Sequence, residues 1–480
     1  MWGKNWKSSG KLPCLDSDCL PHHHHHHQIA NATCNEEKLA EETSNGLDAC
    51  AKESKLNFEE TTKDVESLAD QKALEESPEE NNCSFLHAVI NMIGMLIGLG
   101  QLSAPYALEN GGWTSAFLLV GLGILCAYGS HLLGKCLEKY PKSRDYKDIG
   151  QNAFGAKGRI IIASFIYAEI FMALVSYTIS LHDNLATVFL GTHLKLSWTN
   201  LTTSQTLTVL AILVALPSLW LRDLSSISFL STAGILMSLL IFVTVACTAI
   251  FGAVKANHSI PALKLHNIPA ISGLYIFSYA GHVVFPNLHA AMKDPSKFTK
   301  VTIVSFSLVT VLYTSLAFMG AKMFGPEVNS QITLSMPRAL ILTKIALWAT
   351  VLTPMTKYAL EFAPFAIQLE QNILPRSMKS RTKMIIRGSV GSILLLVILV
   401  LALSVPYFEY VLSLTGSLVS VGICMIFPCA FYIKIFWNQI SRPTLILNMI
   451  LIAFGTLLGA SGTISSSRLL LQNLRRAHSA

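Results

Sequence analysis

Residues Ser84 to Leu108 are long and apolar enough to cross a bilayer, yet they carry Gly94, Gly98 and Gly100 and then Pro105. A crossing takes roughly 20 residues at about 1.5 Å each, and glycine and proline weaken or break the helix it needs. Lipid offers no water to freed backbone groups, so a break survives only beside protein or a water-filled cavity. The stretch is therefore either a binding site or a glycine-rich packing face. A second apolar span, Ile268 to Asn287, has its own interior Gly281 followed five positions on by Pro286, the same interval that separates Gly100 from Pro105. A matched pair of interrupted spans, one in each half of a polytopic chain, points to a transporter-type site.

That inference depends on the number of crossings between the two. Half the chain is hydrophobic (51%) and only 14% is charged, values of a multi-span membrane protein and not of a soluble enzyme. After the first broken span, apolar stretches lie near 113–135, 158–190, 205–221, 225–252, 268–292, 299–324, 338–370, 385–405, 408–436 and 443–470, which predicts eleven crossings. The third and eighth exceed one perpendicular crossing, so they tilt or run past the membrane. With the N-terminus cytoplasmic, 18 Lys and Arg fall in cytoplasmic connections and 8 on the far side, the expected positive-inside bias. The C-terminus then lies on the far side. The sequons at Asn31, Asn82, Asn200 and Asn257 fall on both sides and decide nothing. Span 1 starts inside, and span 6, five crossings later, starts outside. Two five-helix units in opposite orientation, residues 85–252 and 268–436, bring both breaks near the bilayer centre. The expected fold is an all-α polytopic membrane protein, a LeuT-type 5+5 inverted repeat plus an eleventh helix. It occupies residues 84–472, with 473–480 as a short C-terminal tail.

The segment before the first span is different in kind. Residues 1–80 carry a net charge of −9 while the remainder carries +16. An acidic, Ser/Asn/Glu-rich stretch of this sort cannot bury a core, so residues 1–83 are expected to be a disordered cytoplasmic tail. It contains no apolar run like a signal peptide, which leaves targeting to the first span. The run His22 to His27 reads as natural low complexity or as a purification tag, ahead of metal binding. Ten cysteines are present without a CxxC pair, and none lies in a far-side loop, so neither structural disulfides nor a metal site is expected.

Particular residues carry a resemblance. Asn91 to Gly100, Leu102-Ser-Ala-Pro-Tyr-Ala-Leu108 and Gly111-Gly-Trp113 are similar to the first-helix signature of the amino acid/auxin permease family. Tyr279 to Asn287 followed by Met292-Lys-Asp-Pro295 resembles the sixth helix of its plant and fungal vacuolar amino acid transporter branch. Thr353 to Leu360 resembles the eighth helix and Leu414-Thr-Gly-Ser417 the tenth. The likeness runs from about residue 85 to 470 and leaves the tail uncovered. It implies secondary active transport of amino acids coupled to protons, at a vacuolar or other endomembrane, with no cofactor beyond the coupling proton. The remaining partners expected are the lipid bilayer and the small-molecule substrate, for a monomer that binds no nucleic acid.

An amino acid arrives as a zwitterion, so its two charges need separate hosts. N–H groups freed around Gly98, Gly100, Gln101 and Leu102, at the positive end of a half-helix, suit the carboxylate. Carbonyls freed around Ser278, Tyr279 and Ala280 suit the ammonium, and Glu169 and Tyr177 in span 3 could shape the variable part. Ionisable groups inside spans are expensive and mark pairing or function. Lys357 and Glu361, four residues apart, share a helix face; they form an ion pair, or Lys357 stands where a sodium-driven carrier holds a cation between spans 1 and 8. Glu169, His282 and His87 are the rival proton carriers; His282 adjoins the second break and His87 lies near the membrane entrance. A channel would need a continuous polar lining, and an enzyme a clustered catalytic set such as HExxH or GxSxG, which the chain lacks. An amino acid sensor on the same fold needs the same pocket and remains the alternative to a transporter.

Overall fold

A computed structural model describes residues 83–193, 200–215, 224–373 and 379–479, with side chains except at 215, 224–231, 359, 362–373 and 387. The acidic segment and its His run lie outside the described residues, as does Arg376. The described chain is helical. In order it forms α1 (Phe85–Leu96), α2 (Gly100–Gly111), α3 (Ser115–Lys139), α4 (Tyr146–Val188), α5 (Thr203–Ala215), α6 (Leu224–Ile250), α7 (Ile268–Ser278) and α8 (Phe285–Ala291). There follow α9 (Phe298–Phe324), the short α10 (Ile332–Ser335), α11 (Ile341–Ile373), α12 (Ser380–Ser404), α13 (Phe408–Thr415), α14 (Phe427–Ile435) and α15 (Arg442–Ser479). Between α13 and α14 the helix widens into two π segments, Gly416–Ser420 and Gly422–Ile426. Eight helices among the described residues are long and apolar enough to cross a bilayer, and the bent pair α1–α2 makes nine. The apolar but short α5, and α11, whose hydropathy Lys357 and Glu361 dilute, occupy the stretches of the fourth and eighth spans.

Both interrupted spans break. Ile97 adopts extended backbone, and α1 meets α2 at a bend of 61°. In the second span α7 ends at Ser278, and α8 begins only at Phe285 after a single 3₁₀ turn. The equal Gly-to-Pro spacing hides a difference. Pro286 opens α8, where a missing N–H costs nothing, whereas Gly100 and Pro105 both lie inside α2.

The two broken spans run antiparallel. At one end the Cys83 N–H donates to the Ala291 carbonyl (3.4 Å) and the Lys293 N–H to the Cys83 carbonyl (3.1 Å). The start of span 1 is thereby tied to the end of span 6. At the other end Lys264 N–H donates to Gly111 (3.1 Å), and the Asn267 side chain donates to the Asn110 carbonyl (2.9 Å). This is the relation an inverted repeat requires of its first helices.

Two spans extend further than expected. Instead of starting near 158, α4 begins at Tyr146, capped by the Asp145 side chain. It turns at Gly155, whose positive φ of 71° favours a residue without a Cβ. The arm ahead of that turn buries Tyr146, whose hydroxyl donates to the Ile423 carbonyl (2.7 Å) in the second π segment. Residues 473–479, expected as a short tail, continue the 38-residue helix α15. A helix of that length spans about 57 Å against a hydrocarbon core of about 30 Å.

Small residues set the closest approaches. A methyl group on Gly416 would run into the Gly273 carbonyl, and one on Gly273 into the carbonyl of Ser413. Close backbone approach of this kind is how small residues hold helices together in lipid. Gly416→Ala should therefore lower the stability of the purified protein by about 1–3 kcal/mol, whereas Gly121→Ala, which faces open space, should not. Melting curves of the two variants in one detergent check this.

Candidate substrate site at the two helix breaks

The breaks touch. A methyl on Gly100 would come within 2.6 Å of Ser278 Cα, so the glycine at the head of α2 lies directly against the last residue of α7. Gly281 faces Leu96 and the Met95 carbonyl in α1, and Gly98 lies near the Tyr177 hydroxyl of α4. All seven sequence-predicted binding residues (Gly98, Gly100, Gln101, Leu102, Ser278, Tyr279 and Ala280) fall in or beside these two breaks.

The set of free backbone groups is narrower than the sequence suggests. Gln101 and Leu102 N–H groups close turns onto the Gly98 (3.3 Å) and Leu99 (3.0 Å) carbonyls, so neither is spare. The Leu99 N–H, by contrast, has no hydrogen-bond acceptor among the described residues. On the acceptor side, the Ser278 carbonyl already takes the Tyr313 hydroxyl (2.9 Å). The Tyr279 and Ala280 carbonyls have no donor among the described residues. The Tyr279 ring points elsewhere: its hydroxyl pairs with Thr310 (3.0 Å) and donates to Leu119 (3.3 Å), and the ring stacks on Phe306. Tyr279 can therefore serve a ligand only through its backbone. Gln101 donates its amide to the Ser238 carbonyl of α6 (3.0 Å), while its own Oε1 is buried and unpartnered.

The ionisable candidates separate. Ser420, in the first π segment, donates to Glu169 Oε1 (2.7 Å), which joins α4 to span 10. His282 is fully buried, packs on Phe285 and Phe306, and lies 2.8 Å from the Cys126 carbonyl through Nε2. A carbonyl only accepts, so Nε2 carries the hydrogen and Nδ1 is left bare. That is the geometry of a helix-pairing residue turned toward α3. Lys357 and Glu361 are not among the ion pairs of the described residues. Instead, Lys357 Cε lies against Gly234 of α6, next to Ile235, where α1 packs through Gly94. The lysine stem therefore lies beside span 5. His87 sits in the first turn of α1, with Nδ1 3.1 Å from Ser84 Oγ.

Two features escaped the sequence reading. One is Tyr313 of α9, an isolated tyrosine in an apolar span whose hydroxyl must find a partner when buried. The other is a polar cluster at the end opposite Cys83. Gln331, just ahead of α10, donates to Asp183 (2.8 Å) and accepts from Ser180 (2.7 Å) and Asn184 (2.8 Å), and Thr333 donates to Asn184 (2.8 Å). An acid inside an apolar span was the available signal; its partner, 148 residues away, was not legible.

The match to the family model described as "Transmembrane amino acid transporter protein" covers residues 81–468. The chain belongs to the transmembrane amino acid transporter family. It is 60% identical over 430 residues to the amino acid transporter AVT1H of Arabidopsis thaliana, covering 90% of this chain and 99% of that protein. It is 39% identical to AVT1E of the same plant, covering 81% of this chain and 74% of the relative. At greater distance, the vesicular GABA transporter of Caenorhabditis elegans is 26% identical, covering 82% of each. A solved Na⁺-coupled sialic acid symporter is similar at a TM-score of 0.48 and 13% identity, covering 83% of this chain and 90% of that one. The relatives are named as transporters, and the chain is classed with them and not with enzymes.

In this transporter, Gly100→Ala should reduce uptake about tenfold or more, because Ser278 backbone cannot yield as a side chain can. Gly98→Ala, which meets only the Tyr177 hydroxyl at 3.6 Å, should be tolerated; uptake by vesicles bearing each variant compares them. Gln331→Ala removes the partner of several buried polar groups, each worth about 1–3 kcal/mol. It should raise amide hydrogen exchange across residues 328–336.

Proposed function

We propose that the protein moves amino acids across an endomembrane by alternating access, coupled to protons, with the substrate held where spans 1 and 6 break. The observation that carries this reading is the contact between Gly100 and Ser278, because it brings a free donor and free acceptors of two spans to one place. The Leu99 N–H and the positive end of α2 receive the carboxylate. The Tyr279 and Ala280 carbonyls receive the ammonium. This common part of the site is backbone alone, so it serves any amino acid. Tyr177, close to Gly98, then bounds the side chain. The architecture behind it is the LeuT-type inverted repeat, with the N-terminus cytoplasmic and the Gln331 lid on the far side. The likeness to a vacuolar branch favours the vacuole.

Glu169 is the leading proton carrier. As a carboxylate it accepts from Ser420 and holds span 10 against span 3; a hydrogen bond to a charged acceptor is about twice as strong as one to a neutral group. Protonation weakens that bond and frees span 10 to move. Lys357 and Glu361 are the alternative pair for this role, and His282, with its single carbonyl partner, ranks behind them.

Reconstituted vesicles with imposed pH gradients of both signs test the reading. Amino acid flux should follow the gradient and reverse with it. Glu169→Gln should lose gradient-driven accumulation by about tenfold or more, the scale of one charge-assisted hydrogen bond, while exchange of internal for external amino acid continues. Binding without flux in the wild-type protein would instead assign it to sensing.

A further inference from the structure

Tyr313 stands at a point where the two broken spans present their negative ends to each other. Its hydroxyl lies 2.8 Å from the carbonyl of Leu96, the last residue of α1, and 2.9 Å from that of Ser278, the last residue of α7. The side chain is fully buried, and its ring is held edge-on against Tyr279 at 5.7 Å. A helix's C-terminal carbonyls carry the negative half of its dipole. Two such ends converging in a dry site repel each other unless something positive lies between them, and in transporters unwound carbonyls of this kind commonly coordinate a cation. Here the partial positive charge of the phenolic hydrogen lies between them, and the Gly98 N–H approaches the same hydroxyl oxygen from the break in span 1. One O–H cannot donate fully to two acceptors, so the hydroxyl shares its hydrogen or alternates.

We infer that the Tyr313 hydroxyl is a built-in neutral substitute for a bound monovalent cation. It fills a carbonyl-lined position, holds the ends of α1 and α7 in register, and makes the fit of the substrate site independent of any metal ion. The inference rests on the substrate site proposed above and adds to it a positioning residue outside both half-helices. A resident hydroxyl does not exchange with solvent, so no sodium or potassium gradient is needed to set the two breaks. Removing it leaves two unpaired carbonyl oxygens around a hydroxyl-sized gap, a place that suits sodium or lithium and not choline.

The test compares the wild-type protein with Tyr313→Phe in vesicles under one pH gradient, with sodium, lithium or choline as the external cation. Wild-type uptake should be the same in all three salts. In choline Tyr313→Phe should raise KM about tenfold, the scale of one buried acceptor left unpaired, with a smaller change in maximal rate. Sodium or lithium should bring KM back toward the wild-type value and raise the melting temperature of the purified variant, but not of the wild type. Three results overturn the inference: wild-type uptake that requires sodium, a variant with unchanged KM in choline, or a variant equally impaired or equally unfolded in every salt. Absence of amino acid uptake by the wild-type protein in any salt would instead overturn the underlying assignment of the site.

Discussion

Lipid cannot hydrogen-bond a peptide group, and this constraint governs the centre of the molecule. Each break in spans 1 and 6 frees N–H and C=O groups where no water from lipid can reach them. The structure answers by letting each break face the other and by bringing a third helix, α9, across both. Some of the freed groups are satisfied in turns, as at Gln101 and Leu102; some by Tyr313; a few by nothing in the described chain. On the proposed reading, those few receive the two charges of a zwitterion, and the transport site is the remainder left after the protein has satisfied its own backbone.

Around that centre, polar contacts are spent on joining helices at chosen heights. Glu169 with Ser420 and Tyr146 with Ile423 tie the span-3 helix to the π segments of span 10. Gln331 and Thr333 tie the short helix α10 to the opposite end of the same span-3 helix. A π turn leaves backbone carbonyls out of the usual ladder, and the Tyr146 hydroxyl takes one of them. The span-3 helix is thus tied by polar contacts to span 10 on one side and to α10 at its other end.

How much of this the sequence discloses depends on range. Breaks at Gly98–Gly100 and Gly281 are visible because glycine and proline act locally on their own helix. The antiparallel relation of the two spans follows from counting crossings. The helical arm ahead of Gly155 is missed because residues 146–157 are too polar to register as membrane, although Asp145 is a recognisable cap. Glu169 stands out as a buried acid, but Ser420, 251 residues on, gives no sign that it is the partner. Tyr313 is the clearest case: its ring fits an apolar helix face, and only the fold reveals that its hydroxyl reaches two helix ends. His282 shows the reverse, a residue conspicuous in the sequence that the fold commits to a single carbonyl of α3.

The short pairing of Cys83 with Ala291 and Lys293 has a mechanical consequence. Cys83 is where the long acidic segment enters the membrane domain, and there it is stitched to the end of span 6 as well as continuous with span 1. A tug on the chain just ahead of this residue is therefore felt by both halves of the carrier together, as a drawstring closes two edges of cloth with one pull.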